Sequence, residues 1–199
     1  MPQAARSYRS QARAAGVERT RERILGVAQE RFFTLAYDEV RLGEIAAAAG
    51  VSEQTLLNHF SSKEGLLLSV AEFVAPEVAG LRGPVVPGDV DAAVRGLMRQ
   101  YEAFGDGNAR LVAVAERIPA LDRAIEVGRT GHTAWLEATF ADALPAAPAA
   151  RRRALAALYA VTDVGTWKLL RRDLGRSRRD TAAVLGALLG AALESVRHL

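Results

Sequence analysis

Residues 42 to 60 read LGEIAAAAGVSEQTLLNHF, a pattern that predicts two short helices joined by a tight turn. Apolar residues recur at helical spacing in the first part, at Leu42, Ile45, Ala46 and Ala49. Gly50 is expected to end this helix, because without a Cβ it adopts the left-handed backbone conformation at little cost. Val51 fills the corner, and Ser52 can cap the helix that follows.

The second predicted helix has two different faces. Leu56 and Phe60 lie one turn apart and form its inner, apolar face. Its outer face presents the polar residues Gln54, Thr55, Asn58 and His59. A short helix with an apolar back and a hydrogen-bonding front fits the major groove of DNA. The same corner also occurs in all-α proteins that do not bind DNA, so this segment alone leaves both alternatives open.

Amphipathic helices are predicted on both sides of this corner. Upstream, residues 20 to 35 carry one apolar stripe, formed by Ile24, Ala28, Phe32 and Leu35. Downstream, Ser61 and Glu64 have the spacing of a capping box and are expected to open a further helix. That helix is predicted to stop at Pro76, which cannot continue a helical hydrogen-bond ladder.

Residues 20 to 74 resemble the DNA-binding domain of the TetR family of bacterial transcriptional regulators. The resemblance is carried by RIL at 23–25 with Ala28 and Phe32, EIAAAAGVS at 44–52, TLLNHF at 55–60 and SKEGLLLSV at 62–70. It implies an all-α fold, in which an N-terminal helix-turn-helix DNA-binding domain precedes a larger helical effector-binding and dimerisation domain. It also implies a transcriptional regulator, expected to be a repressor, that binds an operator in double-stranded DNA.

The chain departs from the family pattern at four positions. Arg41 stands where the family usually has a small hydroxyl residue, so a capping group is lost and a cation that can bind phosphate is gained. Leu57 replaces a usual aromatic residue, and Ala36 replaces a usual glycine. Gln54 stands where glycine or proline is common; it can read adenine with two hydrogen bonds, or remain a solvated helix residue.

The candidate DNA-binding residues are Arg41, Ser52, Gln54, Thr55, Asn58, His59 and Lys63. Lys63 is expected to contact a phosphate near a helix start whose amides assist it. Residues 1 to 18 are predicted to be a flexible basic arm; Arg6, Arg9 and Arg13 either lie along phosphates or belong to a solvated tail. Acids outnumber bases between residues 32 and 74, which keeps a protein-binding helix-turn-helix as the alternative function.

Length and composition suit a cytoplasmic protein of two domains. The 199 residues accommodate a DNA-binding domain at 19–75 and a larger domain at 76–199. The absence of cysteine excludes disulfides and thiolate metal sites and fits a reducing compartment. No signal peptide is recognised, and the longest apolar run, residues 182 to 193, is too short for the roughly 20 residues that span a bilayer.

The second domain is predicted to be entirely helical. Helices are expected at residues 89–104, 109–117, from beyond Pro119 to 143, 149–172, and from Asp180 or Thr181 to 197. The run Gly105-Asp106-Gly107-Asn108 is predicted to be a turn between the first two.

The last predicted helix has small residues, Ala182, Gly186 and Gly190, at intervals of four. Small residues at this spacing allow a second helix to approach closely, either within the chain or from another copy. The resemblance implies a homodimer formed through the last two helices. A two-fold dimer carries two recognition helices and therefore requires a near-palindromic operator.

The resemblance also implies a small-molecule effector that binds the second domain, tilts the fourth helix and changes the separation of the two recognition helices. Candidate ligand-binding residues are Tyr101, Phe104, Glu116, His132, Trp135, Phe140, Tyr159, Asp163 and Trp167. Aromatic residues such as these are more often ordinary core residues than pocket lining. Their mostly apolar character predicts a hydrophobic or aromatic ligand.

Nothing in the sequence indicates an enzyme. The chain has no HExxH motif, no Glu-x-x-His iron motif, no glycine-rich phosphate loop and no Gly-x-Ser-x-Gly elbow. Three histidines and no cysteine leave little for metal chemistry, so neither a metal nor a cofactor is expected.

Overall fold

The computed structural model describes residues 2–115, 117–118 and 121–196, with side chains from residue 14 onward. Within these residues all regular secondary structure is helical, which confirms the predicted all-α fold. The chain divides into two compact units, Met1–Phe73 and Val74–Leu199, and the boundary falls within the fourth helix.

The first unit contains a helix-turn-helix between two longer helices. Its elements are α1 (Pro2–Thr34), a 3₁₀ turn (Tyr37–Glu39), α2 (Leu42–Ala48), α3 (Glu53–Phe60) and the first part of α4 (Lys63–Arg82). The predicted inner faces are confirmed except at Leu35 and Leu42, which are only half-buried. The core consists of Ile24, Leu25, Ala28, Phe32, Tyr37, Val40, Ile45, Ala46, Ala49, Leu56, Phe60, Leu66, Leu67 and Val70.

Helix α1 begins at Pro2 and not at Thr20. Residues 2 to 18 therefore have helical backbone where the sequence predicts a flexible arm. Alanine, arginine and glutamine dominate this segment and are good helix formers, and a proline is tolerated at a helix start. Arg6, Arg9 and Arg13 lie on this helix, but their side chains lie outside the described part of the structure.

Helix α4 does not stop at Pro76, as predicted, but continues to Arg82. A proline inside a helix removes one hydrogen bond and costs about 3 kcal/mol. Contacts at the far end of the helix favour its continuation. Arg99 donates from Nε to the carbonyl of Leu81 at 2.7 Å and from Nη2 to that of Arg82 at 3.1 Å. Gly96 admits the Arg82 carbonyl, which any Cβ at that position would strike.

The second unit is a helical bundle with one apolar core. Its elements are the end of α4, α5 (Val90–Ala115), α6 (Asp122–Thr139), a 3₁₀ turn (Ala141–Ala143), α7 (Pro148–Thr162), α8 (Val164–Lys168), a π-helical turn (Leu169–Asp173) and α9 (Arg178–Val196). Helices α5, α6, α7, α8 and α9 all contribute to the core. Across the described residues, every helix is too short or too polar to cross a membrane.

The predicted turn at residues 105 to 108 is wrong, because α5 runs through it without interruption. Gly105 faces Trp167, and a Cβ on Gly105 would collide with the indole ring. Gly107 is also buried. Gly105 therefore permits close packing of an aromatic side chain, and neither glycine breaks the helix.

The single long helix predicted at residues 149 to 172 is also wrong. The chain leaves helical geometry at Asp163, where ψ is 152°. The Asp163 carboxylate accepts a hydrogen bond from the amide of Gly165 at 2.7 Å and starts α8. The last helix begins at Arg178, slightly earlier than predicted, and Ser177 Oγ accepts from the amide of Asp180 at 3.0 Å.

Candidate nucleic-acid interface and effector site

The turn between α2 and α3 has the predicted geometry. Gly50 has a positive φ of 65°, and its amide donates to the carbonyl of Ala47 at 3.0 Å. Ser52 Oγ accepts a hydrogen bond from the amide of Thr55 at 3.1 Å, which confirms Ser52 as the cap of α3. These local interactions set the angle at which α3 leaves the turn.

The outer face of α3 carries a hydrogen-bonded pair of amide side chains. Gln54 and Asn58 are exposed and lie one turn apart, and Gln54 Nε2 donates to Asn58 Oδ1 at 3.0 Å. The opposite face is buried through Leu56 and Phe60. The helix therefore presents amide donors and acceptors to solvent on one face and packs its apolar face into the core.

Three other predicted residues of α3 and its cap are more engaged within the unit. The hydroxyls of Ser52 and Thr55 lie 2.8 Å apart, so each is a partner of the other at the helix start. The ring of His59 is half-buried and lies 5.8 Å from the ring of Phe60. These side chains border the exposed pair.

Arg41 precedes α2 with an extended backbone, and its side chain makes no capping hydrogen bond. Its guanidinium is exposed. The expected loss of a capping hydroxyl is confirmed at this position, and the charge that replaces it faces solvent.

Lys63 has a partner inside the unit. Its Nζ donates to the carbonyl of Tyr37 at 2.5 Å and lies 4.2 Å from the centroid of the tyrosine ring. Burial lowers the pKa of Lys63; the charge of Asp38 opposes this change and that of Arg41 adds to it. The ammonium is thus held against the 3₁₀ turn that precedes α2.

Sequence reasoning missed the role of Tyr37. Its hydroxyl donates to Glu64 Oε1 at 3.0 Å, and burial together with this carboxylate raises the pKa of Tyr37 well above its usual value. Hydrogen bonds from its own backbone amide and from Ser62, with a smaller contribution from Tyr37, lower the pKa of Glu64. Tyr37 therefore joins the turn before α2 to the first residues of α4.

The predicted capping box of Ser61 and Glu64 is wrong by one residue. Ser61 has a positive φ of 65°, and it is Ser62 Oγ that accepts from the amide of Gly65, at 3.1 Å. A Cβ on Gly65 would collide with the carbonyl of Phe60. Gly65, which sequence reasoning did not single out, therefore allows α4 to start directly against the end of α3.

Two arginines of α1 contact the ends of the two helices of the helix-turn-helix. Arg23 Nε donates to the carbonyl of Ala49 at 2.6 Å, at the end of α2. The guanidinium of Arg21 lies 5.3 Å from the centroid of the Phe60 ring. These cations stabilise the unit, so positive charge on α1 is not all available to a partner.

The second unit brings together four of the nine predicted ligand-binding residues around an arginine that was not predicted. Tyr101 and His132 are buried, and Trp135 and Tyr159 are half-buried. The rings of His132 and Tyr159 lie 4.7 Å apart, and Arg82 lies 4.7 Å above the ring of Trp135. We call these five residues the Arg82 cluster.

The remaining predicted ligand residues are placed differently. Phe104 and Phe140 are buried core residues, and Trp167 packs 5.8 Å from the ring of Tyr101. Asp163 is half-buried and caps α8. Glu116 lies outside the described residues.

A chain of hydrogen bonds passes through the Arg82 cluster. Arg82 Nε donates to Gln100 Oε1 at 2.5 Å, and Nη2 donates to His132 Nδ1 at 2.7 Å. His132 Nε2 lies 2.8 Å from Thr162 Oγ1, which in turn donates to the carbonyl of Leu158. The accepting Nδ1 assigns the proton of His132 to Nε2.

Burial, and secondarily the charge of Arg82, lower the pKa of His132 to about 3. The imidazole is therefore neutral at physiological pH and accepts from the guanidinium. Tyr101 closes the other side, since its hydroxyl donates to the carbonyl of Thr162 at 2.6 Å. The cluster is a buried polar network within an otherwise apolar unit.

A surface concavity of about 370 Å³ lies elsewhere in the second unit, between α5 and α9. It is lined by Asp91, Val94, Arg95, Ala182, Ala183, Gly186 and Ala187. None of the predicted ligand-binding residues lines it.

Comparison with known families identifies the first unit. A family model described as bacterial regulatory proteins, tetR family, matches residues 24–70. The matched segment runs from α1 into α4 and contains the whole helix-turn-helix. Among curated proteins, no sequence gives a significant match.

Solved structures resemble most of the chain. A candidate TetR-family transcriptional regulator from Rhodococcus sp. superposes with a TM-score of 0.69 at 17% identity, over 87% of this chain and 98% of that chain. A tetR-family transcriptional regulator from Streptomyces coelicolor gives 0.64 at 20% identity, over 90% and 88%. A transcriptional regulator from Rhodococcus sp. Rha1 gives 0.62 at 20% identity, over 88% and 96%.

Fold and match together define a helix-turn-helix protein with the two-part, all-helical architecture of bacterial transcriptional regulators. Residues 24–70 match the model of the tetR family of bacterial regulatory proteins, and most of the chain has the fold of TetR-family regulators. The predicted resemblance is confirmed.

Proposed function

We propose that this protein is a transcriptional repressor that binds a near-palindromic operator as a homodimer and is released from DNA by a small molecule. The observation that carries the proposal is the exposed Gln54–Asn58 pair on α3, mounted on the buried Leu56 and Phe60 within a TetR-family domain. Exposed amides on a short, rigid helix match the donor and acceptor pattern of base edges in the major groove.

In this proposal some residues of the helix-turn-helix contact the DNA bases and others contact the phosphate backbone of the DNA. Gln54 and Asn58 read base edges, because an amide side chain pairs bidentately with adenine. Thr55 and His59 flank them. Ser52 contributes by capping α3, whose first amides then point toward a phosphate.

Two cations supply contacts to phosphate. Arg41 is exposed and has no capping hydrogen bond to give up. Lys63 retains further N–H donors beside the one bound to Tyr37, so it can bridge the 3₁₀ turn and a phosphate at once. Phosphate contacts position the protein without selecting a sequence.

The surface of α9 supports a dimer. Leu185, Leu189 and Leu193 are buried within the chain. Another face of α9 exposes Val184 and Leu188, at 37% and 41%. A Cβ on Gly186 or Gly190 would meet no atom within 4 Å, so neither glycine makes room for a neighbour in the chain's own core.

An intrachain role was the alternative for these small residues, and the open space around them favours a second copy. A C₂ dimer through α9 and the helices beside it places two copies of α3 on one DNA molecule.

Release by a ligand requires that the ligand prefer the conformation that does not bind DNA. Helix α4 begins at Lys63, next to the end of α3, and ends at Arg82 in the cluster of the second unit. A ligand that displaces Arg82 therefore acts on an element that is continuous with the DNA-binding domain. The aromatic rings of the cluster suit a ligand with an apolar or aromatic body.

The decisive experiment selects bound sequences from a random double-stranded DNA pool at near-physiological salt. We expect a near-palindrome to be enriched by the wild-type protein and not by the Gln54→Ala/Asn58→Ala variant, whose exposed substitutions leave the fold intact. The selection is repeated after refolding, so that a co-purified effector cannot hold the released state.

Failure of both selections with a folded, dimeric protein would overturn the proposal. The acidic surplus of residues 32 to 74 would then favour a helical scaffold whose helix-turn-helix binds protein. Salt dependence separates the two functions, because DNA binding through phosphates weakens steeply as salt rises.

A further inference from the structure

Arg82 is a buried cation whose hydrogen-bond partners are all neutral. Its side chain and backbone together are 9% exposed. Its partners are the amide oxygen of Gln100 and the imidazole of His132, and its guanidinium lies over the ring of Trp135. Among the described residues, none of the ion pairs includes Arg82.

Such an arrangement is costly in a protein interior. A charge removed from water is ordinarily paired with an opposite charge, because hydrogen bonds to neutral groups replace only part of its hydration. Burial lowers the pKa of Arg82, but a guanidinium remains protonated in proteins. The position at the C-terminal end of α4 gives some compensation from the helix dipole. The cluster still holds a net positive charge.

The acidic groups near the cluster do not neutralise Arg82. Asp163 acts on Tyr101 and Tyr159, but its carboxylate accepts from the amide of Gly165 and starts α8. Glu126 also acts on Tyr159. Apart from burial, the interactions that shift the pKa of Arg82 come from the two tyrosines and from no carboxylate.

The guanidinium keeps one edge available. It has five N–H donors in a planar fork. Nε and Nη2 donate to Gln100 and His132, whereas Nη1 makes no hydrogen bond to the residues that the structure describes. A carboxylate fits such an edge in geometry and in charge. The half-buried rings of Trp135 and Tyr159 lie beside it and offer apolar contact area.

We propose that the effector is a carboxylic acid with an aromatic or apolar body, whose carboxylate pairs with Arg82 and whose body packs against Trp135 and Tyr159. This inference rests on the proposed function and names the chemical class of its effector. Arg82 is the last residue of α4, and its carbonyl is bound by Arg99. An acid that draws the guanidinium toward itself therefore pulls on the end of that helix.

The test compares acids with their neutral amides at constant ionic strength. The probes are benzoate, phenylacetate and hexanoate, each with its amide, and inorganic phosphate and chloride serve as controls. Melting temperature and titration calorimetry report binding to the full-length protein. We expect at least one acid to stabilise the protein and to bind at least about tenfold more tightly than its amide, a difference of about 1.4 kcal/mol.

Three variants test whether Arg82 is responsible for the preference for an acid over its amide. Arg82→Gln removes the charge and keeps hydrogen-bonding capacity, and we expect it to bind acid and amide equally. Arg82→Lys keeps the charge without the fork and is expected to retain part of the preference. Arg153→Gln, an exposed residue of α7, makes the same change of charge elsewhere in the unit and should behave as the wild type.

Either of two results with the acids and amides overturns the proposal, and so does equal stabilisation by an inorganic anion. One is that no acid binds better than its amide; the other is that Arg82→Gln retains the full preference. If Arg82→Gln does not fold, the proposal is judged from two other results: the acid preference of Arg82→Lys and the acid–amide comparison in the wild type. Equal stabilisation by phosphate or chloride would identify an inorganic anion site and exclude the carboxylic acid.

DNA binding measured on the same samples tests the proposed regulator separately from the acid-binding site at Arg82. Selective acid binding by a protein that enriches no DNA sequence would refute the regulator and leave the acid site standing. Operator binding without any acid preference would refute the acid site alone.

Discussion

Arg82 Nη2 lies 2.7 Å from Nδ1 of His132, and both side chains are buried. Because the guanidinium donates to this nitrogen, the histidine cannot accept a second proton there without losing the bond. The pair therefore makes the stability of the second unit depend on pH.

We expect the free energy of unfolding to fall as the pH drops from about 6.5 toward 3. The folded pKa of His132 is lowered from 6.5 to about 3, so between these values the unfolded chain binds more protons than the folded one. The stabilisation is complete above the unfolded pKa and is lost as pH falls, with a slope of at most about 1.4 kcal/mol per pH unit.

Urea denaturation at several pH values measures this slope for the wild type and for His132→Gln. The variant should lose the contribution, while His59→Gln in the other unit should retain it. Identical pH profiles for the wild type and His132→Gln would show that this histidine does not titrate as the structure implies.

Gly105→Ala should destabilise the protein by about 1–3 kcal/mol, because the added Cβ meets the ring of Trp167 in a packed core. Gly128→Ala is the matched control. It is also a helical glycine, but a Cβ there meets no atom within 4 Å, and alanine should stabilise α6 by up to about 1 kcal/mol. Denaturant midpoints compare the two, and equal stabilities would contradict the role assigned to Gly105.

Gln54→Ala and Asn58→Ala should each cost about 1–3 kcal/mol of binding on the selected operator and little on random DNA. Both residues are exposed, so the fold should not change. Fluorescence anisotropy with the two DNA sequences measures the difference. An equal loss on both would mean that the amides position α3 and do not read bases.

Lys63→Ala should weaken binding to all DNA sequences and reduce the slope of log affinity against log salt by about 1. The substitution also removes the contact with Tyr37, so thermal unfolding is measured in parallel. An unchanged salt slope in a stable variant would assign Lys63 to the fold of the unit and not to phosphate.

Leu188→Arg should shift the protein from dimer to monomer in sedimentation velocity, because it places a charge on the exposed face of α9. Leu174→Arg introduces the same charge at a side chain that is 51% exposed and lies outside α9. A dimer that survives the first substitution would place the interface on another surface.

The helix-turn-helix could be predicted because its determinants are local. The positive φ of Gly50 and the cap formed by Ser52 depend on residues within a few positions along the chain, as does the spacing of Leu56 and Phe60. Short-range geometry of this kind follows from the type and order of neighbouring residues. The candidate base-reading pair, Gln54 and Asn58, follows from the same helical spacing.

The helix boundaries that local rules predicted wrongly depend on contacts between segments that are distant in the sequence. Local rules predict that Pro76 ends a helix and that the run at 105–108 turns, yet both segments are helical. Packing against Trp167 explains the second case. Gly105 could bend the chain, but instead it makes room for the ring of Trp167, which lies far along the sequence.

Sequence alone thus determined the fold class and the helix-turn-helix, since both follow from hydrophobic periodicity and local capping, and its resemblance to the TetR family indicated that this motif belongs to a DNA-binding domain. Only the tertiary structure joined Arg82 at the end of α4 to Gln100 in α5 and His132 in α6. An arginine near a predicted linker looks like any solvated cation. Its burial among neutral partners arises from the way three helices pack, a property that residue order does not display.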